Sequence, residues 1–143
     1  MKRRVFALAG CCLGLFLCIW PTVAVGQARI TTAVLGTGAT DKNEIVNPAT
    51  EFAPDTPKIV CAWTAQGVTA GTPVRGVWIA EDVGQGAPPN YKIDEATLNL
   101  PLIDRGTLTL SKPTNNWPVG KYRLEIYLGK DLAKTVPFTV KAK

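Results

Sequence analysis

A turn that leads into a β-strand is predicted by residues 111–128, whose sequence is SKPTNNWPVGKYRLEIYL. The first half of this stretch contains two prolines, two asparagines and a glycine, which are turn-forming residues. After Gly120 two sets of residues alternate: Tyr122, Leu124, Ile126 and Leu128 on one face, and Lys121, Arg123, Glu125 and Tyr127 on the other. This period of two is typical of an antiparallel strand that is buried on one side.

Six further segments have the composition of short β-strands, and turn-forming residues separate them. They are residues 29–35, 58–64, 72–81, 92–100, 106–111 and 132–140. Since no segment beyond the N-terminal apolar run sustains a helical period, we predict an all-β fold, a seven-stranded antiparallel β-sandwich. Pro137 should then lie at a sheet edge or a bulge, because proline cannot donate to the hydrogen-bond ladder.

The N-terminus has the organisation of an export signal. Three basic residues at positions 2–4 precede an apolar run at 5–20, and the small residues Ala24 and Gly26 suit a signal peptidase. We predict cleavage after Gly26 and therefore an exported protein, periplasmic or extracellular. Two alternatives remain open: the helical segment is an uncleaved anchor, or Cys11 is acylated, because the preceding Leu-Ala-Gly resembles the lipobox of bacterial lipoproteins.

The predicted cleavage divides the chain into three parts. Residues 1–26 form the signal peptide, 27–57 an N-terminal strand and extended linker, and 58–143 the sandwich, whose first strand comes from 29–35. The net charge of the full chain is +5, but without the three basic residues of the signal peptide 13 positive charges stand against 11 negative ones, which leaves +2. So small a charge does not indicate a nucleic-acid partner. Membrane contact is expected only through the N-terminal segment, if it is retained or lipidated.

The reactive side chains do not form a catalytic pattern. Histidine is absent, and three of the four cysteines lie in the N-terminal segment. Cys61 therefore has no partner for an intrachain disulfide after cleavage; we expect it to be buried, and pairing with another chain is the alternative. Adjacent pairs such as Ser111 and Lys112 point to opposite faces of a strand. We predict no enzyme activity, no cofactor and no metal site.

Four positions reproduce the layout of an immunoglobulin-type sandwich: Cys61, Trp78, Tyr122 and Leu124. In that fold a cysteine and a tryptophan on two strands pack near a tyrosine that precedes the second cysteine by two residues. Leu124 occupies the place of the second cysteine, so the resemblance implies an Ig-like or fibronectin-III-like sandwich without a disulfide. The four residues would then be structural.

A narrower resemblance rests on the Trp-Pro-x-Gly-x-Tyr motif of residues 117–122, together with Val-Arg-Gly-Val-Trp-Ile-Ala at 74–80 and Thr-Val-Pro-Phe-Thr-Val at 135–140. These segments resemble small exported bacterial Ig-like domains of uncharacterised function, over roughly residues 58–140. The motif marks a fold and implies no catalytic residue.

Aromatic side chains that the alternation does not direct inward are candidates for a binding surface: Tyr91, Trp117 and Tyr127. For Trp117 the alternative is a plug over one end of the sandwich. Strand edges are a second candidate, because an edge can accept a strand from another protein. The function that we predict is an exported non-catalytic binding or accessory module that acts through protein–protein contacts in the bacterial cell envelope. Glycan binding by the exposed aromatics and a structural envelope subunit are the alternatives.

Overall fold

The computed structural model describes residues 26–99 and 104–143. These ranges form ten strands: β1 (Arg29–Gly36), β2 (Gly38–Ala39), β3 (Ile45–Val46), β4 (Glu51–Phe52), β5 (Lys58–Gln66), β6 (Val74–Asp82), β7 (Tyr91–Leu98), β8 (Arg105–Ser111), β9 (Gly120–Leu128) and β10 (Asp131–Val140). A short 3-10 turn covers Gly84–Gly86. The predicted signal peptide, Cys11 and the predicted end of one strand at Leu100 lie outside the described residues.

Two sheets face each other. One has the strand order β1-β5-β8 and the other β4-β10-β9-β6-β7, while β2 and β3 form a separate small hairpin. All pairs are antiparallel except the short β4–β10 pair. The seven longer strands, β1 and β5 to β10, match the seven predicted segments, and the prediction of an all-β sandwich is confirmed. Among the described residues no helix is long and apolar enough to cross a membrane.

Residues 27–57 contribute to both sheets. β1 pairs with β5 over most of its length, and β4 adds to β10 at Thr139 and Val140. Phe52 on β4 is buried and packs edge-on against Phe138, with ring centroids 5.9 Å apart. The part of the chain predicted as strand and linker therefore supplies core side chains to the sandwich.

The alternation in β9 determines which side chains enter the core. Its residues Tyr122, Leu124, Ile126 and Leu128 are buried, and those between them face the outside of the five-stranded sheet. β9 lies between β10 and β6, so its apolar face covers the centre of the sheet. The predicted orientation of this strand is confirmed.

The immunoglobulin-type positions meet in the core. The exposed fractions of Cys61, Trp78 and Leu124 are 0%, 1% and 0%, and Leu124 is the cross-strand neighbour of Trp78. Cys61 is a free thiol, as expected for a buried cysteine, and burial raises its pKa to about 12. Leucine at the position of the second cysteine thus fills the core with an apolar side chain where a disulfide would otherwise stand.

β6 is buried on both faces, which the alternation did not predict. Val77 and Ile79 point away from the core, yet they are 6% and 7% exposed. Their cross-strand neighbours are long charged side chains of β7 and β9, Glu95 and Glu125 beside Val77, and Lys92 and Arg123 beside Ile79. Long charged side chains cover apolar surface with their methylene groups while the charged ends stay in water.

Candidate binding surface

Trp117 is buried, so its predicted place on an exposed surface is wrong and the alternative of a plug over the sandwich end is right. The indole is 3% exposed, and its Nε1–H donates to the carbonyl oxygen of Thr56 at 2.8 Å. The turn that precedes it closes with a hydrogen bond from Asn116 N–H to Pro113 O, and Asn116 has a positive φ of 65°. A tryptophan is buried readily where its N–H finds such an acceptor.

Tyr122 forms the tyrosine corner that follows from the immunoglobulin-type layout. Its hydroxyl donates to the carbonyl oxygen of Pro118 at 2.6 Å, and its ring stacks on Phe138 with centroids 5.2 Å apart. Trp117 meets the same ring edge-on at 6.2 Å. Burial raises the pKa of Tyr122 to about 12. The Trp-Pro-x-Gly-x-Tyr motif is therefore a packing unit that closes one end of the sandwich.

Tyr127 lies on the outer face of the five-stranded sheet, in a network of charged side chains. Its hydroxyl donates to Glu125 at 2.6 Å, and the guanidinium carbon of Arg75 lies 4.4 Å from its ring centroid. Arg123 donates to the other oxygen of Glu125 at 2.9 Å. The hydroxyl of Tyr127 and then the guanidinium of Arg123 lower the pKa of Glu125. Because Arg75 lies over its ring, Tyr127 offers little aromatic surface to a ligand.

Tyr91 is the exposed member of the three candidate aromatics, with an exposed fraction of 51%. It lines a cavity of about 140 Å³ at the end of the sandwich, which Trp117, Tyr122 and Pro118 also line. Ile93 borders the same cavity. Tyr91 therefore forms the exposed rim of this cavity and Trp117 part of its buried wall. Tyr127 lies elsewhere, on the outer face of the five-stranded sheet.

Lys112, Asp82 and Glu81 are engaged in structural contacts. Lys112 donates to the side chain of Asn116 at 2.8 Å, and Asp82 accepts the N–H of Gly84 at 3.2 Å. Glu81 forms an ion pair with Arg123 at 3.6 Å. Within residues 26–99 and 104–143 no three side chains of the metal-binding types come together.

The sheet edges differ in how well they resist another strand. Edges are protected by bulges, prolines, charges or a covering segment. β1 has a bulge at Thr31, and β7 has one at Ile93 besides several charged residues. β10 contains Pro137, and β4 covers one of its ends. β8 pairs with β5 without a register shift, contains no proline, and has one charged residue, Arg105 at its start.

The prediction that Pro137 lies at a sheet edge is confirmed. Thr139 N–H donates to Thr50 O at 2.9 Å, on the side of β10 that faces away from β9. From Lys134 to Val140 the register with β9 is regular, so the backbone nitrogens of residues 135 and 137 face the same side. The proline ring thus occupies a position where the strand donates nothing to β9.

The hydrogen bonds that flank β8 show which of its backbone groups face the open edge. Lys112 N–H donates to Pro57 O at 2.9 Å beyond one end, and Ala65 N–H donates to Asp104 O at 2.6 Å beyond the other. In an antiparallel pair, residues that bond across the pair alternate with residues that point outward. The hydrogen bonds at both ends involve even-numbered residues, 104 and 112, so the even-numbered residues of β8 form the hydrogen bonds with β5. The backbone N–H and C=O groups that point away from β5 belong to Arg105, Thr107, Thr109 and Ser111.

β7 and β8 lie on the same side of the sandwich, and we call this surface, β7 with β8 and the end cavity, the open side. A Cβ added at Gly106 on β8 would lie 3.5 Å from Leu98 of β7, and one added at Gly76 on β6 would lie 2.5 Å from Leu108. Ile93 and Leu98 on β7 pack against the core but stay partly exposed. In the described ranges no strand pairs with the outer side of β8.

Several charged side chains near the open side are paired within the chain. Lys92 lies 3.4 Å and Arg75 3.6 Å from the carboxylate of Glu95, while Arg105 lies 3.4 Å from that of Asp104. These pairs are exposed and contribute little to stability. Asp94 is the cross-strand neighbour of the buried Trp78 and so lies on the inner face of β7; its carboxylate accepts the N–H of Glu95 at 2.8 Å and has no ion pair among the described residues.

No protein-family model matches this chain, and no curated protein matches it. Among solved structures it is similar to an immunoglobulin-like protein of Pseudomonas aeruginosa, with 18% identity, 82% of this chain and 99% of that chain covered, and a TM-score of 0.54. It is also similar to the alkylpurine DNA glycosylase AlkC of Pseudomonas fluorescens bound to DNA with an abasic site analog, with 14% identity, 80% and 30% covered, and a TM-score of 0.45. The second likeness is too weak to support a conclusion, and the first shows the fold alone: an immunoglobulin-like sandwich.

Proposed function

We propose that this protein is an exported, non-catalytic binding or accessory module that contacts a partner protein in the bacterial cell envelope through its open side. The observation that carries the proposal is the outer side of β8, where the backbone groups of four residues point away from the sheet. Partly exposed Leu98 of β7 lies near Gly106 of β8, and Ile93 lies farther along β7 on the same side of the sandwich. Unpaired backbone groups next to apolar side chains are the features that protein partners use on β-sandwiches.

Export is supported by the basic residues at positions 2–4, the apolar run at 5–20 and the small residues before position 27. The non-catalytic part of the proposal is supported by the chemistry of Cys61. The thiol of Cys61 is buried and its pKa is raised to about 12, so the reactive thiolate is strongly disfavoured.

Glycan binding is a second candidate, and it now depends on Tyr91. Sugars stack on exposed aromatic faces, but Trp117 is buried and Arg75 lies over the ring of Tyr127. One tyrosine at a cavity rim offers less stacking surface than three aromatics would. A structural envelope subunit is the third candidate, and association that depends on protein concentration would favour it.

The test places a photo-crosslinking residue on the open side in the native cell envelope. Tyr91→p-benzoylphenylalanine keeps an aromatic ring at an exposed position, and the same change at Lys130, in the exposed turn between β9 and β10, is the control. We expect a stoichiometric protein adduct from position 91 and none from position 130. Adducts from position 130 alone, or from neither position, would contradict the proposal, and a glycan adduct at position 91 would favour the second candidate.

The intact mass of the same samples tests the export prediction. A chain that begins at Gln27 confirms cleavage after Gly26, whereas added lipid mass on Cys11 or a retained N-terminus would show one of the alternatives.

A further inference from the structure

We infer that β8 receives an extended strand of the partner protein, and that this strand carries an apolar side chain at every second residue and no acidic side chain toward the sheets. The inference rests on the proposed function and specifies its partner. It is carried by three features of the open side: the direction of the β8 backbone groups, the apolar side chains of β7, and the carboxylate of Asp94 at the border.

The backbone of β8 defines the length of the added strand. Arg105, Thr107, Thr109 and Ser111 present their N–H and C=O groups along one line, and the register of β8 with β5 has no irregularity. With about 3.4 Å per residue, a partner segment of roughly seven residues would span this edge. Each of its alternate residues would exchange hydrogen bonds with one of these four residues, so that the three-stranded sheet becomes four-stranded.

The neighbouring side chains define the pattern of the added strand. Leu108 and Leu110 point into the core, so the inward side chains of a strand beside β8 would enter the space next to them. That space is bordered on the other sheet by Ile93 and Leu98 of β7, which are partly exposed. Apolar side chains at every second position would cover them, and the residues between would stand beside Thr107 and Thr109 on the outer face.

The charges at the border limit the composition of the strand. Glu95 pairs with Lys92 and Arg75 on the outer face of the sheet, whereas Asp94 lies on the inner face of β7 and has no ion pair among the described residues. An acidic side chain directed inward would lose water and be repelled by this carboxylate, whereas a cationic one would be attracted to it. The partner segment therefore has no acidic side chain among those that face the sheets.

A second copy of this chain fits the open side less well than a separate segment. If β8 paired with β8 of a second copy, the hydrogen bonds would form, but the apolar side chains would be missing. Leu108 and Leu110 are 2% and 3% exposed and already fill the core of their own sandwich. They could not also cover Ile93 and Leu98 of another copy, whereas the side chains of an extended segment are free to do so.

The test uses a synthetic peptide, an acetylated and amidated heptapeptide of alternating valine and threonine with one lysine at each end. The control peptide has the same composition with its three valines adjacent. Amide hydrogen exchange of the free protein should be slow at Leu108 and Leu110 and fast at Thr107 and Thr109, because the first pair bonds β5 and the second faces the edge. We expect the alternating peptide to slow exchange at residues 107 and 109 at least tenfold, and the control peptide to have a much smaller effect.

Two proline variants test the strand-addition mode. Thr109→Pro removes a backbone N–H that faces the edge and leaves the β5–β8 ladder intact, so the affinity for the alternating peptide should fall at least tenfold. Thr135→Pro makes the same change on the edge of β10, on the opposite side of the sandwich, and should leave the affinity unchanged. Equal affinities of the two variants would overturn the inference.

If Thr109→Pro fails to fold, the change can be made in the peptide instead. Methylation of the peptide nitrogens that face β8 should abolish protection of Thr107 and Thr109, while methylation of the other nitrogens should not; equal effects would overturn the inference.

The outcomes of these experiments also distinguish the added strand from the proposed function. Adducts from position 91 that persist in the Thr109→Pro variant would retain the partner and reject the added strand. If the alternating peptide binds β8 but no adduct forms in the cell envelope, the edge of β8 accepts a strand, and the proposed function of binding a partner protein is rejected.

Discussion

Leu124→Ala is expected to lower the free energy of unfolding by about 3–4 kcal/mol. Leu124 is 0% exposed and lies between Trp78 on β6 and Val136 on β10, in the middle of the five-stranded sheet. The substitution removes three carbon atoms, which at about 0.8 kcal/mol each gives about 2.4 kcal/mol of lost transfer free energy. The cavity adds to this, because strands hydrogen-bonded on both sides cannot close around it. For a domain of this size the corresponding fall in Tm is about 10–15 °C.

Urea denaturation followed by tryptophan fluorescence measures the effect, since Trp63, Trp78 and Trp117 are all buried. The matched control is Lys121→Ala on the same strand, which removes an exposed outer side chain and should change the free energy of unfolding by less than about 0.5 kcal/mol. Arg123→Ala should fall between the two, near 1 kcal/mol, because the guanidinium has hydrogen bonds to Glu125 and Asn90. Similar losses from Leu124→Ala and Lys121→Ala would refute the assigned orientation of β9.

Three further predictions concern individual side chains. Tyr122→Phe should lower the free energy of unfolding by about 1–2 kcal/mol, because the ring packing remains and the carbonyl oxygen of Pro118 loses its donor; urea titration measures this, and an unchanged midpoint would contradict the tyrosine corner. The thiol of Cys61 should be inert to a disulfide reagent in the folded protein at pH 8 and react in denaturant, because burial raises its pKa; rapid reaction of the native protein would contradict its burial. The pKa of Glu125 is lowered in the folded state, so its contribution to stability is complete above the ordinary glutamate pKa of about 4.3 and is lost as the pH falls through the folded value. Glu125→Gln should therefore flatten the fall in stability below about pH 4.3, and an unchanged profile would exclude this contribution.

The binding surface could be predicted from the sequence in part. The alternation identified Tyr91 and Tyr127 as residues not forced inward, but it could not show that Arg75 lies over the ring of Tyr127. Arg75 and Tyr127 are far apart in the chain and become neighbours only because β6 pairs with β9 in a register that places them side by side. Trp117 lies in a turn, where no period indicates a direction, and the acceptor that secures it belongs to Thr56.

The position of β8 at the edge of its sheet could not be predicted from the sequence for a related reason. Its residues have the composition of a strand, and the prediction of that strand over residues 106–111 is close to the observed Arg105–Ser111. Whether such a strand is central or at an edge depends on which other strands pair with it. β7 precedes β8 in the chain, yet it joins β6 in the other sheet, so within residues 26–99 and 104–143 no strand pairs with one side of β8.

The amino-acid sequence by itself determined the seven longer strands of this protein and, in β9, the face that is buried. A period of two is a local property, because successive side chains on a strand point to opposite sides, and the apolar set must leave water. Tertiary structure decided the order of the strands, the burial of Val77 and Ile79 beneath charged side chains, and which backbone groups of β8 no strand of the described ranges pairs with. These features depend on pairing between distant segments, and alternation along a strand carries no information about the identity of the strand beside it.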